Sequence, residues 1–326
     1  MSNNKQNTGI YFMGEAIADL KPDAENPRIL NASLGGGSYF GCIGAARAIQ
    51  EKEDQDIVSC FLGSISNDYF GQLIIKDFIK AGVKADYARK TENISMLALV
   101  SQTADGLNKF EFYGRNKPNT TEQILRSDLP DDLEEPARLF CFGSVVMTLS
   151  PARDTLTDYA AEQAKLGHII YFDPNTRPNI IPDKAEYIER ITKFAAFVSV
   201  MRASEEDIRW MFPDKPFEES AQYFLDQGVN AFIITQGGKG CTLYLPEQKS
   251  VYLPSKVEQG IINTVGAGDN FNAGVLLAMA RRNLTQQEML KSLDVETWKN
   301  IAKEANDVAY QHLLRLNGLT NKRKVA

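Results

Sequence analysis

Short apolar segments alternate with longer amphipathic segments over most of this 326-residue chain. The apolar segments have the length of β-strands, and the amphipathic segments repeat apolar residues at the spacing of one helix face. This alternation is typical of βα units, in which helices cover a mostly parallel sheet. We therefore predict an α/β fold built on one large, mostly parallel central sheet.

The predicted elements follow in order along the chain. The predicted strands are Ile10–Ala16, Ile57–Leu62, Leu139–Phe142, Ile169–Phe172, Phe197–Val200 and Ala231–Thr235. The predicted helices are Gly41–Gln50, Phe70–Ala81, Ala152–Leu166, Lys184–Ala195, Phe217–Gln227 and Asp269–Arg281. No internal repeat or low-complexity linker divides them, so we expect one domain over residues 1–326.

One stretch departs from the alternation. Ser95–Thr103 and Lys109–Tyr113 alternate in the manner of strands around the turn signal Asp105-Gly106, which predicts a β-hairpin. We expect a small β-sheet lid formed by about residues 19–34 and 90–118. The hairpin carries Phe110 and Phe112, so a homodimer through the lid is a further expectation.

Composition excludes several classes of protein. The net charge of −6 disfavours a nucleic-acid partner, which requires a basic face. No apolar segment approaches the length of a membrane span, and the amino terminus lacks the pattern of a signal peptide. The four cysteines never form a C-x-x-C pair, and two histidines make a His-rich zinc site or a His-based triad improbable. We predict a cytoplasmic protein without a bound structural metal.

The segment Asn263–Asp269 places a glycine-bearing turn and a carboxylate immediately before an apolar helix. Backbone N–H groups at a helix amino terminus are unpaired, and the helix dipole favours negative charge there. An anion can therefore bind at the turn while Asp269 accepts a proton beside it. Those are the two requirements of phosphoryl transfer to a hydroxyl group.

Other polar and glycine-rich segments follow predicted strands, where open α/β sheets bind ligands. Each has an ordinary structural alternative: a turn for Gly35-Gly36-Gly37, a solvated loop for Asp19, and a salt bridge for the arginine of Asn175-Thr176-Arg177. The segment Thr235–Gly240 suits nucleotide phosphates, although no Walker A or G-x-G-x-x-G motif occurs in the chain. Together, these strand-end segments predict one site.

These residues resemble the PfkB family of carbohydrate kinases, which have the ribokinase-like fold. The carboxy-terminal signature of that family is matched by Thr264, Gly266, Ala267, Gly268, Asp269, Phe271, Ala273 and Gly274. The amino-terminal signature is matched by Gly35, Gly36, Gly63, Asp68 and Gly71. The segments GEAIAD, FDPNTR and SEED look most like the fructokinase and 2-keto-3-deoxygluconate kinase branch.

The resemblance implies a three-layer α/β/α fold and ATP-dependent phosphorylation of a sugar hydroxyl, with Mg²⁺. Asp269 would be the catalytic base, and the N–H groups of Gly266, Ala267 and Gly268 would form the anion hole. The residues implied to bind the sugar are Asp19, Gly35, Gly36, Tyr113, Arg115, Asn175 and Arg177. Those implied to line the nucleotide and Mg²⁺ side are Ser204, Asp207, Thr235, Gly237, Gly240 and Asn306.

Two positions depart from the family pattern. Phe40 stands where many members have a sugar-binding asparagine, so the identity of the sugar stays open. Asn263 stands where cation-activated members have an aspartate, so a monovalent-cation requirement also stays open. The alternatives to a fructokinase-like enzyme are a 2-keto-3-deoxygluconate kinase and a non-catalytic relative that binds a nucleotide or a sugar.

Overall fold

The computed structural model describes residues 7–102, 108–114, 120–256 and 258–320. The strands are β1 (Thr8–Met13), β2 (Ile17–Pro22), β3 (Leu30–Gly35), β4 (Ile57–Leu62), β5 (Ser64–Ser66), β6 (Arg89–Thr91), β7 (Leu97–Gln102), β8 (Asn108–Tyr113), β9 (Ala137–Gly143), β10 (Ile169–Asp173), β11 (Val200–Ser204), β12 (Ala231–Thr235), β13 (Cys241–Leu245) and β14 (Lys249–Leu253). The α-helices are α1 (Gly37–Lys52), α2 (Tyr69–Ala81), α3 (Ala152–Lys165), α4 (Lys184–Ala195), α5 (Glu205–Met211), α6 (Phe217–Leu225), α7 (Ala267–Arg281), α8 (Gln287–Leu290) and α9 (Val295–Leu316).

The central sheet has eight strands in the order β14-β13-β12-β11-β10-β9-β1-β4. The six strands β12, β11, β10, β9, β1 and β4 are parallel to one another, and β13 and β14 add an antiparallel edge. Strand ends are aligned by the pairing register, since Asp173 pairs with Gly143 and Ser204 with Thr235. The carboxyl ends of the parallel strands therefore form one continuous edge.

Both faces of the central sheet are covered by helices. Along β1, Ile10 and Phe12 belong to one hydrophobic cluster with α1, α2, α7 and α9, whereas Tyr11 and Met13 belong to another with α3 to α6. Successive side chains of a strand point to opposite faces, so a strand buried on both sides reads as a continuous apolar run. The predicted α/β fold with a mostly parallel sheet is confirmed as a three-layer α/β/α arrangement.

A four-stranded sheet of order β3-β2-β7-β8, which we call the small sheet, lies outside this sandwich. The sequence predicted only its β7–β8 hairpin as strands. A third hydrophobic cluster, which includes Ile17, Met96 and Val145, joins its base to the main body, and Phe110 and Phe112 pack against that cluster. Strand β3 runs through Gly36 directly into α1, so the small sheet is fixed to the main body at this turn.

Helices α7 and α9 bring the carboxy-terminal part of the chain against the central sheet. Every residue of α7 from Asn270 to Ala280 is buried. A Cβ atom on Gly274 would lie 2.5 Å from Cα of Ala305, so glycine is needed for the close approach of the two helices. This packing fixes the amino terminus of α7 at the edge of the sheet.

Two of the predicted strands differ from the structure. The strand predicted at Ile10–Ala16 ends at Met13, and Asp19 lies within β2 of the small sheet and not after a central strand. The strand predicted at Phe197–Val200 is wrong in position, because β11 begins at Val200 and the preceding apolar residues follow the end of α4. The long helix α9 and the antiparallel strands β13 and β14 were not predicted. Within the described ranges, no helix is both long and apolar enough to cross a membrane.

Candidate active site

A cavity of about 300 Å³, which we call the inner cavity, lies between the carboxyl edge of the central sheet and the small sheet. Its walls combine acidic, basic and aromatic side chains with the glycine-bearing turns before α1 and α7. The main contributors are Glu15, Asp19, Gly36, Gly37, Phe40, Phe110, Phe112, Asn175, Arg177, Arg202, Gly266, Gly268 and Asp269. Segments that lie far apart in the sequence therefore meet here.

The turn before α7 presents unused backbone donors to the inner cavity. Gly266 has φ +78°, a left-handed conformation that favours glycine. The N–H of Ala267 donates to the carbonyl of Thr264 at 3.1 Å, whereas those of Gly266, Gly268 and Asp269 donate to no other described residue. Of the three N–H groups expected to form an anion hole, that of Ala267 is engaged within the turn, whereas those of Gly266 and Gly268, together with that of Asp269, are open.

Asp269 stands in the first turn of α7 and borders the inner cavity. Burial, and then the negative charge of Asp173, raise the pKa of its carboxyl group to about 8 against the opposing charges of Arg202 and Arg177. A carboxylate with this pKa accepts a proton near neutral pH far better than an exposed aspartate does. Its position and basicity suit a general base.

Two further carboxyl groups, those of Asp19 and Glu15, face the inner cavity. Asp19 is 4% exposed, and burial raises its pKa to about 6 against the opposing charges of Lys21 and Arg177. Glu15 is 2% exposed; burial raises its pKa, and one of its oxygens accepts a hydrogen bond from the N–H of Gly37 at 3.1 Å. Sequence analysis missed Glu15, although it lies four residues before Asp19 in the GEAIAD segment.

Asn175 and Arg177 lie together after β10, as predicted from the strand end. One guanidinium nitrogen of Arg177 donates to the carbonyl oxygens of Asn175 and Thr176 at 2.9 and 3.1 Å, and also to the Asn175 side chain. The guanidinium lies over the ring of Phe110 at 5.0 Å. Arg177 is thus held between the loop and the small sheet.

Arg202 is the main site residue that sequence analysis missed. Its guanidinium donates to Asp173 at 2.7 Å and to the Thr235 hydroxyl at 3.0 Å, and it is 8% exposed. Burial tends to lower its pKa, but the carboxylates of Asp173 and Asp207 hold it above its usual range. A Cβ atom on Gly268 would lie 2.9 Å from this guanidinium, so the cation adjoins the open N–H groups.

A second cavity of about 510 Å³, which we call the outer cleft, adjoins the inner cavity. The two share Arg202, Ser204, Glu206, Thr264, Ala267 and Gly268. The outer cleft is also bordered by four of the residues predicted for the nucleotide side: Thr235, Gly237, Gly240 and Asn306. A ligand in one cavity can therefore reach a ligand in the other across the turn before α7.

Ser204 and Asp207 were predicted on the nucleotide side, and the structure shows what else they do. Ser204 caps α5 by accepting a hydrogen bond from the N–H of Asp207 at 3.1 Å. Asp207 in turn accepts from the N–H and hydroxyl of Ser204, at 2.8 and 2.7 Å, and from the N–H of Thr176 at 2.7 Å. Its oxygens are therefore already engaged. The neighbouring Glu206 is exposed and borders both cavities.

Two of the predicted sugar-binding residues do not border the inner cavity. Gly35 lies behind Asp19, where a Cβ atom would be 2.3 Å from a carboxylate oxygen. Tyr113 is 57% exposed and does not line the cavity. Arg115 lies outside the described residues.

Phe40 borders the inner cavity and packs against the turn before α7. A Cβ atom on Gly266 would lie 2.8 Å from its ring, and the ring contacts His312 edge-on at a centroid distance of 5.9 Å. This position therefore supports the turn and offers a sugar no hydrogen bond. Among the described residues, no group of three or more His, Cys, Asp or Glu side chains is arranged to hold a metal ion.

A family model described as pfkB family carbohydrate kinase matches residues 7–309. A fructokinase from Rhizobium leguminosarum bv. trifolii is 28% identical over 292 residues, which cover 89% of this chain and 86% of the relative. An aminoimidazole riboside kinase from Salmonella typhimurium is 25% identical over 291 residues, which cover 86% of this chain and 84% of the relative.

The fold is also found in solved structures. The structure of a Vibrio cholerae fructokinase with bound fructose, ADP and calcium ion superposes with a TM-score of 0.79 at 21% identity. The match covers 97% of this chain and 96% of the other. It identifies the ribokinase-like arrangement of a central sheet with a smaller sheet.

Proposed function

The chain belongs to the pfkB family of carbohydrate kinases, a phosphotransferase family that acts on sugar hydroxyl groups, and we propose that its substrates are ATP and a neutral, fructose-like sugar. The observation that carries the proposal is the position of Asp269 beside the open N–H groups of Gly266 and Gly268. A base and an anion site in contact are what transfer to a hydroxyl requires.

In the proposed reaction the sugar lies in the inner cavity and the nucleotide in the outer cleft. Asp269 takes the proton from the sugar hydroxyl, whose oxygen forms a bond to the γ-phosphorus as the bond to the bridging oxygen of ADP breaks. The N–H groups of Gly266, Gly268 and Asp269 and the Arg202 guanidinium stabilise the charge on the transferring group. Phe110 and Phe112 on the small sheet exclude water from the sugar.

The nucleotide proposal is supported by the glycine-bearing segment Thr235–Gly240 at the outer cleft, and by the ADP bound to the Vibrio cholerae fructokinase. Glu206 fits a divalent cation held jointly with nucleotide phosphates, because its carboxylate is exposed and borders both cavities. Bound Mg²⁺ would supply neutralisation of phosphate charge. Ser204, Thr235 and Asn306 remain the proposed nucleotide contacts.

A neutral sugar is favoured over a sugar acid by the charges around the inner cavity. Glu15, Asp19 and Asp269 face it as carboxyl groups, whereas Arg202 is paired with Asp173 and Arg177 donates to three oxygens of its own loop. The Asp19 carboxyl group, whose pKa is about 6, is mostly ionised at neutral pH, so it accepts hydrogen bonds from sugar hydroxyls but repels the carboxylate of a keto acid. Fructose therefore fits better than 2-keto-3-deoxygluconate.

Two broader expectations also remain proposals. The four cysteines are free and buried, which supports a reducing, cytoplasmic location. A homodimer through the lid remains a proposal. Because Phe110 and Phe112 border the inner cavity, we propose that it would use exposed residues of the small sheet such as Leu30 and Tyr113. Light scattering on the purified protein measures its mass directly.

The proposal is tested by incubating the protein with Mg-ATP and each member of a panel while ADP release is measured. The panel contains hexoses, ketoses, 2-keto-3-deoxygluconate and aminoimidazole riboside. We expect the highest kcat/KM with fructose or a related ketose. Preference for the keto acid or the riboside would overturn the substrate assignment, and no turnover with any member would favour a non-catalytic role.

The chemical role of Asp269 has a separate test. Asp269→Asn keeps the size of the side chain but removes the base, so we expect turnover to be lost while binding of ATP, followed by calorimetry, is retained. A variant that keeps most of the wild-type kcat means that another group takes the proton. Loss of both turnover and nucleotide binding would point to a structural role instead.

A further inference from the structure

We propose that His312 is a positioning residue that fixes the direction of an anion-hole donor. His312 lies on α9, and its ring nitrogen Nε2 is 2.7 Å from the carbonyl oxygen of Val265. A carbonyl oxygen only accepts hydrogen bonds, so Nε2 must carry the proton. The ring is therefore a donor to the backbone of the turn before α7.

The geometry of the peptide bond turns this contact into an effect on the active site. The carbonyl of Val265 and the N–H of Gly266 belong to one planar trans peptide unit and point in opposite directions. Holding the carbonyl toward α9 therefore aims the N–H of Gly266 away from α9. Gly266 borders the inner cavity, and its N–H donates to no other described residue.

Neighbouring contacts restrict the histidine and the turn together. His312 is 6% exposed, and Phe40 packs against both its ring and Gly266. At the start of the turn, the Asn317 side chain accepts from the N–H of Asn263 and donates to its carbonyl, each at 2.9 Å. Helix α9 thus holds the turn at two points, and His312 is the one next to the donor.

The protonation state of the ring is consistent with this role. Burial lowers the pKa of His312, and the charges of Arg315 and Arg47 lower it further, whereas the Val265 carbonyl raises it. The neutral ring holds one proton, and the hydrogen bond to Val265 places it on Nε2. The donor is therefore present throughout the neutral pH range.

The first test compares two substitutions at this position, and it rests on the proposed anion-hole role of Gly266. His312→Leu removes the donor but keeps an apolar side chain, so we expect kcat to fall roughly 10- to 100-fold with little change in the KM for the sugar. His312→Gln offers an amide N–H in place of the ring, and we expect it to recover most of the lost kcat. The matched control is His168→Leu, which removes the other buried histidine at a position that borders neither cavity.

The second test detects the hydrogen bond of His312 by NMR spectroscopy and does not depend on enzymatic turnover. With only two histidines in the chain, ¹⁵N-histidine labelling gives two ring spin systems, and His168→Leu assigns them. We expect His312 as the Nε2–H tautomer with a slowly exchanging proton. A proton on Nδ1 instead overturns the proposal.

The kinetic outcomes also decide the proposal. It is overturned by wild-type kcat in a folded His312→Leu variant, by equal losses in the Leu and Gln variants, or by the same loss in the His168 control. If His312→Leu does not fold, the tautomer and the His312→Gln kinetics decide. Lack of turnover by the wild-type protein with every sugar counts against the proposed function, while the tautomer still tests the contact.

Discussion

Nη1 of Arg202 lies 2.7 Å from Oδ2 of Asp173, and the pair connects two adjacent strands beneath the point where the inner cavity meets the outer cleft. Asp173 also accepts a hydrogen bond from the Asn272 side chain at 2.7 Å. The Asp173 carboxylate thereby joins β10, β11 and α7. The same cation adjoins Gly268, so Arg202 would contribute both to stability and to the proposed phosphoryl transfer.

Replacement of Arg202 by Met leaves the Asp173 carboxylate buried without its ion partner, which costs about 3–5 kcal/mol of unfolding free energy. Denaturant unfolding monitored by circular dichroism measures this loss. Arg202→Lys keeps the charge and should lose less. Equal stability of the Met variant and the wild type means that water or Asn272 compensates the carboxylate fully.

The rate should depend on the protonation of Asp269. Because burial raises its pKa to about 8, the carboxyl group is protonated and inactive as a base below that pH. We expect kcat/KM for the sugar to rise with pH and to level off above about pH 8. Arg202 lowers the pKa of Asp269, so the profile of Arg202→Met should move to higher pH. A flat profile from pH 6 to 9 contradicts the assignment.

Gly35→Ala tests the support behind the proposed sugar-binding carboxylate. The added Cβ would lie 2.3 Å from Oδ2 of Asp19, so the carboxylate must move. We expect kcat/KM for the sugar to fall roughly 10- to 100-fold, with the KM for ATP unchanged. Asn31→Ala, at an exposed position on the same strand that pairs with Lys21 and not with Asp19, is the control. Unchanged sugar kinetics in Gly35→Ala would remove Asp19 from the site.

Phe110→Ala and Tyr113→Ala compare the contributions to sugar binding of two residues on the same strand. Phe110 borders the inner cavity and stacks on Arg177, whereas Tyr113 is largely exposed. A cation–π contact of this kind contributes about 0.5–2 kcal/mol, so the KM for the sugar should rise about 2- to 30-fold in Phe110→Ala. ATP hydrolysis without sugar should also increase. If Tyr113→Ala raises the KM for the sugar more than Phe110→Ala does, Tyr113 contacts the sugar as the sequence predicted.

The turn before α7 should not require a monovalent cation. Asn263 is uncharged, its side chain accepts from the N–H of Val265 at 3.1 Å, and the carbonyls of Asn263 and Val265 already accept from Asn317 and His312. We expect the same kcat when potassium is replaced by tetramethylammonium. A strong loss that potassium restores means that a cation displaces one of these donors.

Much of the site was predictable because parallel strands align their carboxyl ends. Asn175 and Asp269 were singled out as polar residues after a strand or before a helix, and both border one cavity. Asp19 borders the same cavity from within β2 of the small sheet, and not from the end of a central strand as predicted. Arg202 was missed because the strand was predicted from apolar residues alone and placed before it. Asp173 can be recognised as the partner of Arg202 only when the pairing of β10 with β11 is known.

The fold was predicted to a similar extent. Buried strands such as Ile57–Leu62 and Ala231–Thr235 agree at both ends, because both of their faces are apolar. Helix α9 was missed although Trp298, Ile301, Ala305 and Val308 recur at helical spacing. The engagement of the Ala267 N–H within the turn depends on a local hydrogen bond that residue types alone do not reveal. The spacing of Ser204 and Asp207, in contrast, matches the capping-box pattern, which sequence analysis did not use.

Strand β3 passes directly into α1. Gly36, at φ +107°, is the single residue between the strand and the helix, and a Cβ there would lie 2.6 Å from the carbonyl oxygen of Glu15. The adjoining Gly37 faces an oxygen of Asp269, since a Cβ there would lie 3.4 Å from it. A tilt of the small sheet about Gly36 would therefore move Gly37 relative to Asp269. If Asp269 is the proposed base, this joint would couple the position of the small sheet to the alignment of the proton acceptor.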